Sequence, residues 1–409
     1  MNHYDTLYTL YDEFDTDALR AYQEFVDLFP PVDSRVALEY WEQASNELGA
    51  RKREVHRAFR DGHALADIAA RTRREQAFTA LDLYNKYDRG VNVFVLDVDE
   101  TLRSAGGTDN EIPRETLHLL TEFHERGLPI VVCTGQTLEN VKGFMIQGLG
   151  NEIVHSGSMS IVYEAGTGVF TPGHGAETKA LLYEDLGSEI PDVFGEVRAR
   201  VLPDAPDDLR RGCHLQGNEF NVTLKPNDET GSPGATAIID EALVYLLSLL
   251  GEAVDGDRDG SAWARTFYAN ADPEIREVLA AEDAVPDREV EDIPEDLRDI
   301  FERIDVGYYE GDAAEIASRE LNKVVGVEAA LDVLGVDDPF ALVMGDSKSD
   351  LRLMEWVQGE TTGIAAAPDH ASARVLDHVR TTDDLVFDRG ASDEILRTVR
   401  AMNLLADLD

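Results

Sequence analysis

The sequence predicts an α/β fold: a doubly wound parallel sheet that is interrupted by an inserted α+β segment and preceded by a helical extension. Short, wholly apolar runs alternate with amphipathic helical patterns, and this alternation is typical of a parallel sheet covered on both faces. The inserted segment mixes strand and helix patterns, whereas residues 1–88 show helical spacing only. With 409 residues the chain exceeds one ordinary core, so we expect several domains.

Residues 1–88 are expected to form a helical amino-terminal extension. Apolar residues recur at helical spacing, as in Leu19, Tyr22 and Val26, and strand alternation is missing. Such helices either pack on the rest of the chain or serve as an interaction module, for example in a homo-oligomer. The sequence leaves both alternatives open.

The first half of the predicted sheet domain covers residues 89–176. The run "VNVFVLDV" predicts a strand, "IPRETLHLLTEFHERG" an amphipathic helix and "LPIVVCT" the next strand. We interpret the short run "NEIV" as a third strand of the same sheet.

Residues 177–315 predict an inserted α+β domain, and the sheet pattern resumes over 316–409. In the insertion we expect the strands "CHLQGNEFNVTLKP", "SAWARTFYAN" and "IDVGYYEG" and the long helix "ATAIIDEALVYLLSLLGE". In the final part we expect the helix "NKVVGVEAALDVLG", the strand "FALVMGD", the helix "SDLRLMEWV" and the strand "TTGIAAAP". The sheet domain is therefore made of two chain segments.

The chain is strongly acidic, with 81 Asp and Glu residues against 37 Lys and Arg residues and a formal net charge of −44. This charge disfavours binding to nucleic acid phosphates or to an anionic membrane surface. The acid-rich, lysine-poor composition resembles that of proteins from salt-loving organisms, where high ionic strength screens self-repulsion.

The two cysteines, Cys133 and Cys213, are too few for a disulfide framework or a zinc cluster. The first residues lack the basic and apolar regions of an export signal, and no apolar run reaches the roughly 20 residues that a bilayer requires. We therefore expect a cytoplasmic protein without a membrane span.

Four carboxylates lie at the predicted ends of two strands. Asp97 and Asp99 come directly after one apolar run, and Asp346 and Asp350 come after another. Because the carboxyl ends of parallel strands converge on one crevice, we expect these residues to meet. Gathered carboxylates repel one another unless a hard divalent cation neutralises them, and Mg²⁺ prefers carboxylate oxygen. The pattern predicts a magnesium site.

Such a site suits a phosphoryl group. Lys323 would supply a point charge, and the Thr134 hydroxyl and the Gly135 amide would donate hydrogen bonds. Asp97 could then attack phosphorus and form an aspartyl-phosphate. Asp99 could act as general acid and base, with Thr101 orienting it.

These pieces resemble the four motifs of the haloacid dehalogenase superfamily. "DVDET" is similar to its DxDxT motif, Thr134 to its hydroxyl after a strand, Lys323 to its lysine at a helix start, and "GDSKSD" to its acidic motif. The resemblance implies a Rossmann-like core with Asp97 as nucleophile and Asp99 as acid and base. It also implies Mg²⁺ held by Asp97, the main-chain carbonyl of Asp99 and Asp346, with Asp350 supporting the metal or Lys323.

The insertion between Thr134 and Lys323 resembles the subgroup with a large cap after the second motif, which includes Cof-type sugar phosphatases and eukaryotic-type phosphomannomutases. Two positions depart from this subgroup. Glu100 replaces its usual glycine, a change expected to matter little, and Gln136 stands where an arginine is common, in a position that bears on a substrate or cap contact.

The sequence therefore predicts a Mg²⁺-dependent phosphatase that hydrolyses a small phosphorylated metabolite, either a sugar phosphate or phosphoglycolate. Two alternatives remain open. A phosphomutase would use the same paired aspartates, and a phosphatase-like domain could instead serve as carrier of the helical interaction module.

Overall fold

A computed structural model describes residues 3–29, 35–103, 111–228, 230–256, 258–359 and 362–408. The chain divides into two compact units. The first comprises Met1–Val162, Phe170–Lys179 and Val327–Asp409, and the second comprises Tyr163–Val169 and Ala180–Gly326. In the described part of the chain, no helix combines the length and apolar character needed to cross a bilayer.

The strands are, in chain order, β1 (Val93–Leu96), β2 (Ile130–Cys133), β3 (Met159–Tyr163), β4 (Gly168–Phe170), β5 (Ala180–Leu181), β6 (Cys213–Gln216), β7 (Asn221–Pro226), β8 (Ile304–Tyr309), β9 (Ala313–Ser318), β10 (Ala341–Met344), β11 (Gly363–Pro368) and β12 (Leu385–Phe387).

The helices are α1 (His3–Glu13), α2 (Thr16–Leu28), α3 (Arg35–Ala58), α4 (Gly62–Arg71), α5 (Arg74–Tyr87), α6 (Arg114–Glu125), α7 (Leu138–Leu149), α8 (Asn151–Val154), α9 (Glu189–Arg200), α10 (Asp207–Gly212), α11 (Gly231–Asp255), α12 (Arg258–Ala271), α13 (Pro273–Ala281), α14 (Glu295–Glu302), α15 (Lys323–Leu334), α16 (Lys348–Gly359), α17 (Ala373–Thr381) and α18 (Ser392–Ala406). Short 3₁₀ turns span Glu164–Gly166, Ala176–Thr178, Leu182–Asp185 and Val290–Asp292.

A parallel sheet forms the centre of the first unit, with its strands in the order β12, β11, β10, β1, β2, β3. All four residues of β1 are buried. Because successive side chains of a strand point to opposite faces, both faces of the sheet are covered. The ring of Phe123 on α6 packs against Phe94 of β1 at a centroid distance of 4.6 Å. The predicted α/β fold with a Rossmann-like parallel sheet is confirmed.

The amino-terminal helices belong to the core of the first unit. Helices α4 and α5 pack against α18, and α2 packs against α6. Leu10, Ile68 and Leu81 of the extension are fully buried. Of the two alternatives for residues 1–88, the structure shows the first: these helices pack extensively on the rest of the unit.

The second unit contains an antiparallel sheet in the order β6, β7, β9, β8. Helix α11 packs against β7 and β9, and α9 and α12 pack against α11. The unit extends to Gly326, beyond the expected limit of 315, because β9 pairs with both β7 and β8. The sequence analysis did not anticipate β9.

One predicted strand of the insertion is wrong. The run "SAWARTFYAN" forms most of α12, although its aromatic residues favour a strand in isolation. Ala264 and Tyr268, four residues apart, are buried on one face of this helix. A side-chain carbon on Gly251 of α11 would come within 2.2 Å of the Gly260 carbonyl oxygen, so the paired glycines let α11 and α12 pack closely. Tertiary packing thus outweighs local propensity.

Two further segments differ from expectation. The run "NEIV" forms the short helix α8, and the third strand of the sheet is β3, which begins five residues after α8 ends. The run "CHLQGNEFNVTLKP" forms two strands, β6 and β7, instead of one. They separate near Gly217, which has a φ of +100°, where a side chain would be strained.

Both cysteines are buried, and neither forms a disulfide in the described part of the chain. Burial raises the pKa of Cys213 to about 11, so this thiol stays protonated near neutral pH.

Candidate active site

Three neighbouring strands deliver the candidate residues to one edge of the sheet. Strand β1 lies between β10 and β2, with Leu96 opposite Met344 on one side and Val132 on the other. All three strands run in the same direction. The segments that follow them, beginning with Asp97, Thr134 and Gly345, therefore emerge together at the carboxyl edge.

Asp97, Asp346 and Asp350 form an acidic cluster. One carboxylate oxygen from each residue lies within 4.8 Å of those of the other two. Asp97 is 7% exposed and Asp350 only 1%, so water screens their charges poorly. Gathering two buried carboxylates and a partly buried one is costly unless a cation compensates them, and three carboxylate oxygens are a donor set that fits Mg²⁺.

Local hydrogen bonds fix Asp350 at the start of α16. Its Oδ2 accepts hydrogen bonds from the Ser347 amide at 3.0 Å and from the Ser347 hydroxyl at 2.6 Å. This arrangement caps the first turn of the helix and aims the carboxylate back toward the sheet. Asp350 is thereby held in the cluster by its own helix start.

The Asp99 carboxylate lies outside this cluster and is half exposed. Its Oδ1 accepts from Arg103 Nε at 2.9 Å and Nη2 at 2.5 Å, and its Oδ2 accepts from Gln136 Nε2 at 2.6 Å. The Arg103 guanidinium lies over the Phe144 ring, 4.5 Å from its centroid. Gln136, which departs from the family pattern, therefore contacts the candidate acid and base directly.

The expected role of Thr101 as the residue that orients Asp99 is corrected by the structure. The Thr101 side chain is buried, and its hydroxyl donates a long hydrogen bond of 3.5 Å to Asp346 Oδ1. Because the chain turns directly after Asp97, the hydroxyl faces the acidic cluster instead of Asp99. Arg103 and Gln136 orient Asp99 in its place.

Thr134 and Gly135 follow β2 as expected. The Thr134 side chain is fully buried, and its hydroxyl oxygen accepts a hydrogen bond from the Gln136 amide at 3.1 Å. Gly135 is exposed, with no atom within 4 Å of the place where a side chain would begin. The backbone here is open to a ligand that accepts hydrogen bonds.

Lys323 belongs to the second unit, where it begins α15 and is 4% exposed. The Asn322 side chain caps this helix, accepting hydrogen bonds from the amides of Val324 at 2.9 Å and Val325 at 3.3 Å. A buried lysine is rare unless its charge is compensated.

Two side chains near Asp99 and the following turn, Arg103 and His370, were not among the predicted site residues, and a third, Glu100, was expected to matter little. Glu100 has a φ of +57°, and its Oε2 lies 3.3 Å from His370 Nε2. The sequence shows that Glu100 stands where the resembled subgroup usually has glycine. Only the structure shows that the Glu100 side chain contacts His370.

Comparison with known proteins gives a family match for part of the chain. Residues 266–384, which include Lys323, Asp346 and Asp350, match the model of the haloacid dehalogenase-like hydrolases. A search of curated proteins found none that matches the sequence.

A search of solved structures matched, among others, the trehalose-6-phosphate phosphatase of Aspergillus fumigatus. It is 14% identical, with 80% of this chain and 97% of that chain covered and a TM-score of 0.40. The sucrose-phosphatase of Synechocystis, solved with sucrose and phosphate, is 13% identical, with 77% and 98% covered and a TM-score of 0.43. A haloacid dehalogenase-like hydrolase of Bacteroides thetaiotaomicron is 15% identical, with 76% and 98% covered and a TM-score of 0.40.

Proposed function

We propose that this haloacid dehalogenase-like chain is a Mg²⁺-dependent phosphatase that acts on a small phosphorylated metabolite, a sugar phosphate or phosphoglycolate. The observation that carries the proposal is the acidic cluster of Asp97, Asp346 and Asp350 at the carboxyl edge of the sheet, in which Asp97 and Asp350 are buried. Asp97 lies in that cluster and leads the segment after β1, the position of the family's nucleophile.

Asp97, Asp346 and Asp350 would hold Mg²⁺. The bound ion would neutralise the carboxylates and the charge of the phosphoryl group. A carboxylate relieved of repulsion in this way can approach an anionic phosphate as a nucleophile.

The reaction proceeds in two steps. An Asp97 carboxylate oxygen attacks phosphorus, the bond from phosphorus to the leaving oxygen breaks, and that oxygen takes a proton from Asp99. Water then attacks the aspartyl-phosphate, Asp99 accepts the proton of the water, and inorganic phosphate leaves Asp97.

Asp99 needs a defined orientation in both steps, because proton transfer requires hydrogen-bond distance to the reacting oxygen. Arg103 and Gln136 occupy both of its carboxylate oxygens and set this orientation in the free protein. In the proposal, the Thr134 hydroxyl and the Gly135 amide bind the remaining phosphoryl oxygens.

The test is phosphate release with p-nitrophenyl phosphate and Mg²⁺, followed by a screen of phosphorylated metabolites at high salt. Asp97→Asn removes the nucleophile and is expected to abolish turnover. Asp99→Asn is expected to retain substrate binding and to lose hydrolysis of the intermediate. Asp337→Asn, an exposed aspartate in the same unit, is the matched control and should keep the activity of the unchanged protein.

Turnover by Asp97→Asn at the rate of the unchanged protein would refute the assignment of the nucleophile. Interconversion of sugar 1- and 6-phosphates without net release of phosphate would instead identify a phosphomutase.

A further inference from the structure

The loop that follows β11 contacts both segments that carry the metal-binding carboxylates. The Ser372 amide donates a hydrogen bond of 2.9 Å to the main-chain carbonyl of Asp346. His370 Nε2 lies 3.3 Å from Oε2 of Glu100, three residues after Asp97. The loop therefore contacts the segment after β1 and the segment after β10 from one side.

The loop is itself anchored to the edge of the sheet. The Asp369 amide donates to the carbonyl of Phe387 in β12 at 2.8 Å, and Asp369 Oδ1 accepts from the Arg389 amide at 3.1 Å. Arg389 Nη2 lies 3.6 Å from Glu100 Oε2. The Glu100 carboxylate thus faces two side chains from two different loops.

Glu100 adopts a backbone conformation that normally favours glycine. Its φ is +57°, in the left-handed region that L side chains rarely adopt. Strained positions of this kind persist where the surrounding contacts determine them. The contacts of Glu100 with His370 and Arg389 are such contacts, so the side chain has a positional role that glycine could not fill.

The His370 side chain is 18% exposed, and within the described part of the chain neither of its ring nitrogens has a hydrogen-bond partner. Its Nδ1 lies 3.5 Å from Asp369 Oδ1 on the side opposite the Glu100 contact. The ring therefore lies between two carboxylates, one on its own loop and one on the segment after β1.

We infer that Glu100, His370, Ser372 and Arg389 form a polar brace that sets the distance between Asp97 and Asp346. These are positioning residues, since they touch the metal-binding segments and not the reacting groups. The inference deepens the proposed function and rests on it for its kinetic consequence only. The brace should act directly on Mg²⁺ affinity, because the residues around metal ligands fix the orientation of those ligands.

The decisive variant is Glu100→Gly. It removes the carboxylate and relieves the backbone strain, so the variant is expected to fold at least as stably as the unchanged protein. Its Mg²⁺ affinity, measured by calorimetric titration with the metal alone, is expected to fall about tenfold. Glu100→Gln keeps the size of the side chain and should bind Mg²⁺ with intermediate affinity.

Asp88→Gly is the matched control, because Asp88 at the end of α5 has a φ of +55° and lies in the same unit. It relieves the same kind of strain away from the site and should leave Mg²⁺ affinity unchanged. Arg389→Gln should weaken Mg²⁺ binding in the same direction as Glu100→Gly, which tests the brace at its other end.

In phosphate-release assays, Glu100→Gly should raise the Mg²⁺ concentration needed for half activation while leaving KM for the substrate nearly unchanged. The brace would be overturned if Glu100→Gly bound Mg²⁺ with an affinity within twofold of that of the unchanged protein, as is expected for the control Asp88→Gly. If the unchanged protein binds Mg²⁺ but hydrolyses no phosphate ester, the proposed function fails, and the calorimetric comparison still decides the brace.

Discussion

Gly345 provides the space in which the Asp350 side chain lies. A side-chain carbon at Gly345 would come within 2.3 Å of Asp350 Cβ, a distance that no packed pair of carbons adopts. The glycine follows β10 directly, so the last residue before Asp346 must lack a side chain for Asp350 to reach the acidic cluster. Steric exclusion therefore explains why the "GDSKSD" segment begins with a glycine.

Gly345→Ala is expected to displace Asp350 and to lower the free energy of unfolding by about 1–3 kcal/mol, as for overpacking at other buried sites. Mg²⁺ binding should weaken as well, because one carboxylate leaves its place. The measurements are denaturant unfolding and calorimetric titration with Mg²⁺.

Gly359→Ala, in the last turn of α16, is the control, since nothing lies within 4 Å of its added carbon. It should leave metal binding unchanged. Equal Mg²⁺ affinity in Gly345→Ala and Gly359→Ala would show that Asp350 is not required in the cluster.

The sequence predicted where the carboxylates would meet, because strand ends in a parallel sheet converge by geometry alone. It did not predict the partners of Asp99 and Glu100. Gln136 and His370 lie 37 and 270 positions away from the residues they contact, and no local pattern announces such a pair. The expectation that Glu100 changes little considered catalytic roles only, and the backbone conformation at that position was not visible.

At the level of elements, a partly buried ionic network joins the amino-terminal helices to the sheet domain. Arg400 of α18 is 2% exposed and contacts Asp67 of α4 at 3.2 Å and Glu122 of α6 at 2.7 Å. Arg71 of α4 contacts Asp27 of α2 and, at 3.4 Å, Glu122. The extension is thus tied to α6 and α18 by charge as well as by apolar packing.

The cations of this network hold its carboxylates ionised. Burial raises the pKa of Asp67, but Lys52 and Arg400 outweigh this effect and lower it to about 2. Burial likewise opposes ionisation of Glu122, and Arg71 and Arg400 bring its pKa below the usual value. Unfolded carboxyl groups titrate near pH 4. The stabilisation is therefore fully present above about pH 4 to 5 and is lost as the pH falls toward 2.

Arg400→Met is expected to lower the free energy of unfolding at pH 7 by about 1–3 kcal/mol, because it leaves partly buried carboxylates with fewer cations. Since the pKa values of Asp67 and Glu122 in the folded state then rise toward those of the unfolded state, the fall in stability between pH 4 and pH 2 should become shallower. Unfolding curves at several pH values measure both effects.

Arg210→Met removes a surface ion pair with Asp207 in the second unit and is expected to change stability very little. Parallel pH dependences for Arg400→Met and the unchanged protein would contradict a role of Arg400 in the acid lability of the fold.

Elements with a strong apolar pattern could be predicted from the sequence. Short elements, and elements whose conformation depends on tertiary packing, could not. The apolar strands β1, β2, β10 and β11 are buried on both faces, so their composition alone identifies them. Helix α12 has strand-forming residues, and its helical state depends on close packing against α11. Strand β9, with the sequence "AAEIAS", has too few β-branched residues to be recognised without its partners β7 and β8.

For the molecule as a whole, the excess of acidic over basic residues is the dominant electrostatic feature. With 81 Asp and Glu residues and 37 Lys and Arg residues, at least 44 carboxylates cannot be matched one to one with a cation. Their mutual repulsion extends over about 10 Å at 0.1 M salt but over only about 3 Å at 1 M. Self-repulsion of this kind destabilises the compact state.

We therefore expect Tm to rise continuously when KCl is increased from low concentration to molar concentration, because screening removes surface repulsion first. Buried ion pairs are screened much less. The stability difference between Arg400→Met and the unchanged protein should consequently persist at high KCl, while the stability of both increases. A neutral osmolyte such as sucrose, at matched osmolarity, separates screening from solvent exclusion. A Tm that is independent of KCl would mean that the surface carboxylates lie too far apart to repel, and the acidic composition would then have no bearing on folding.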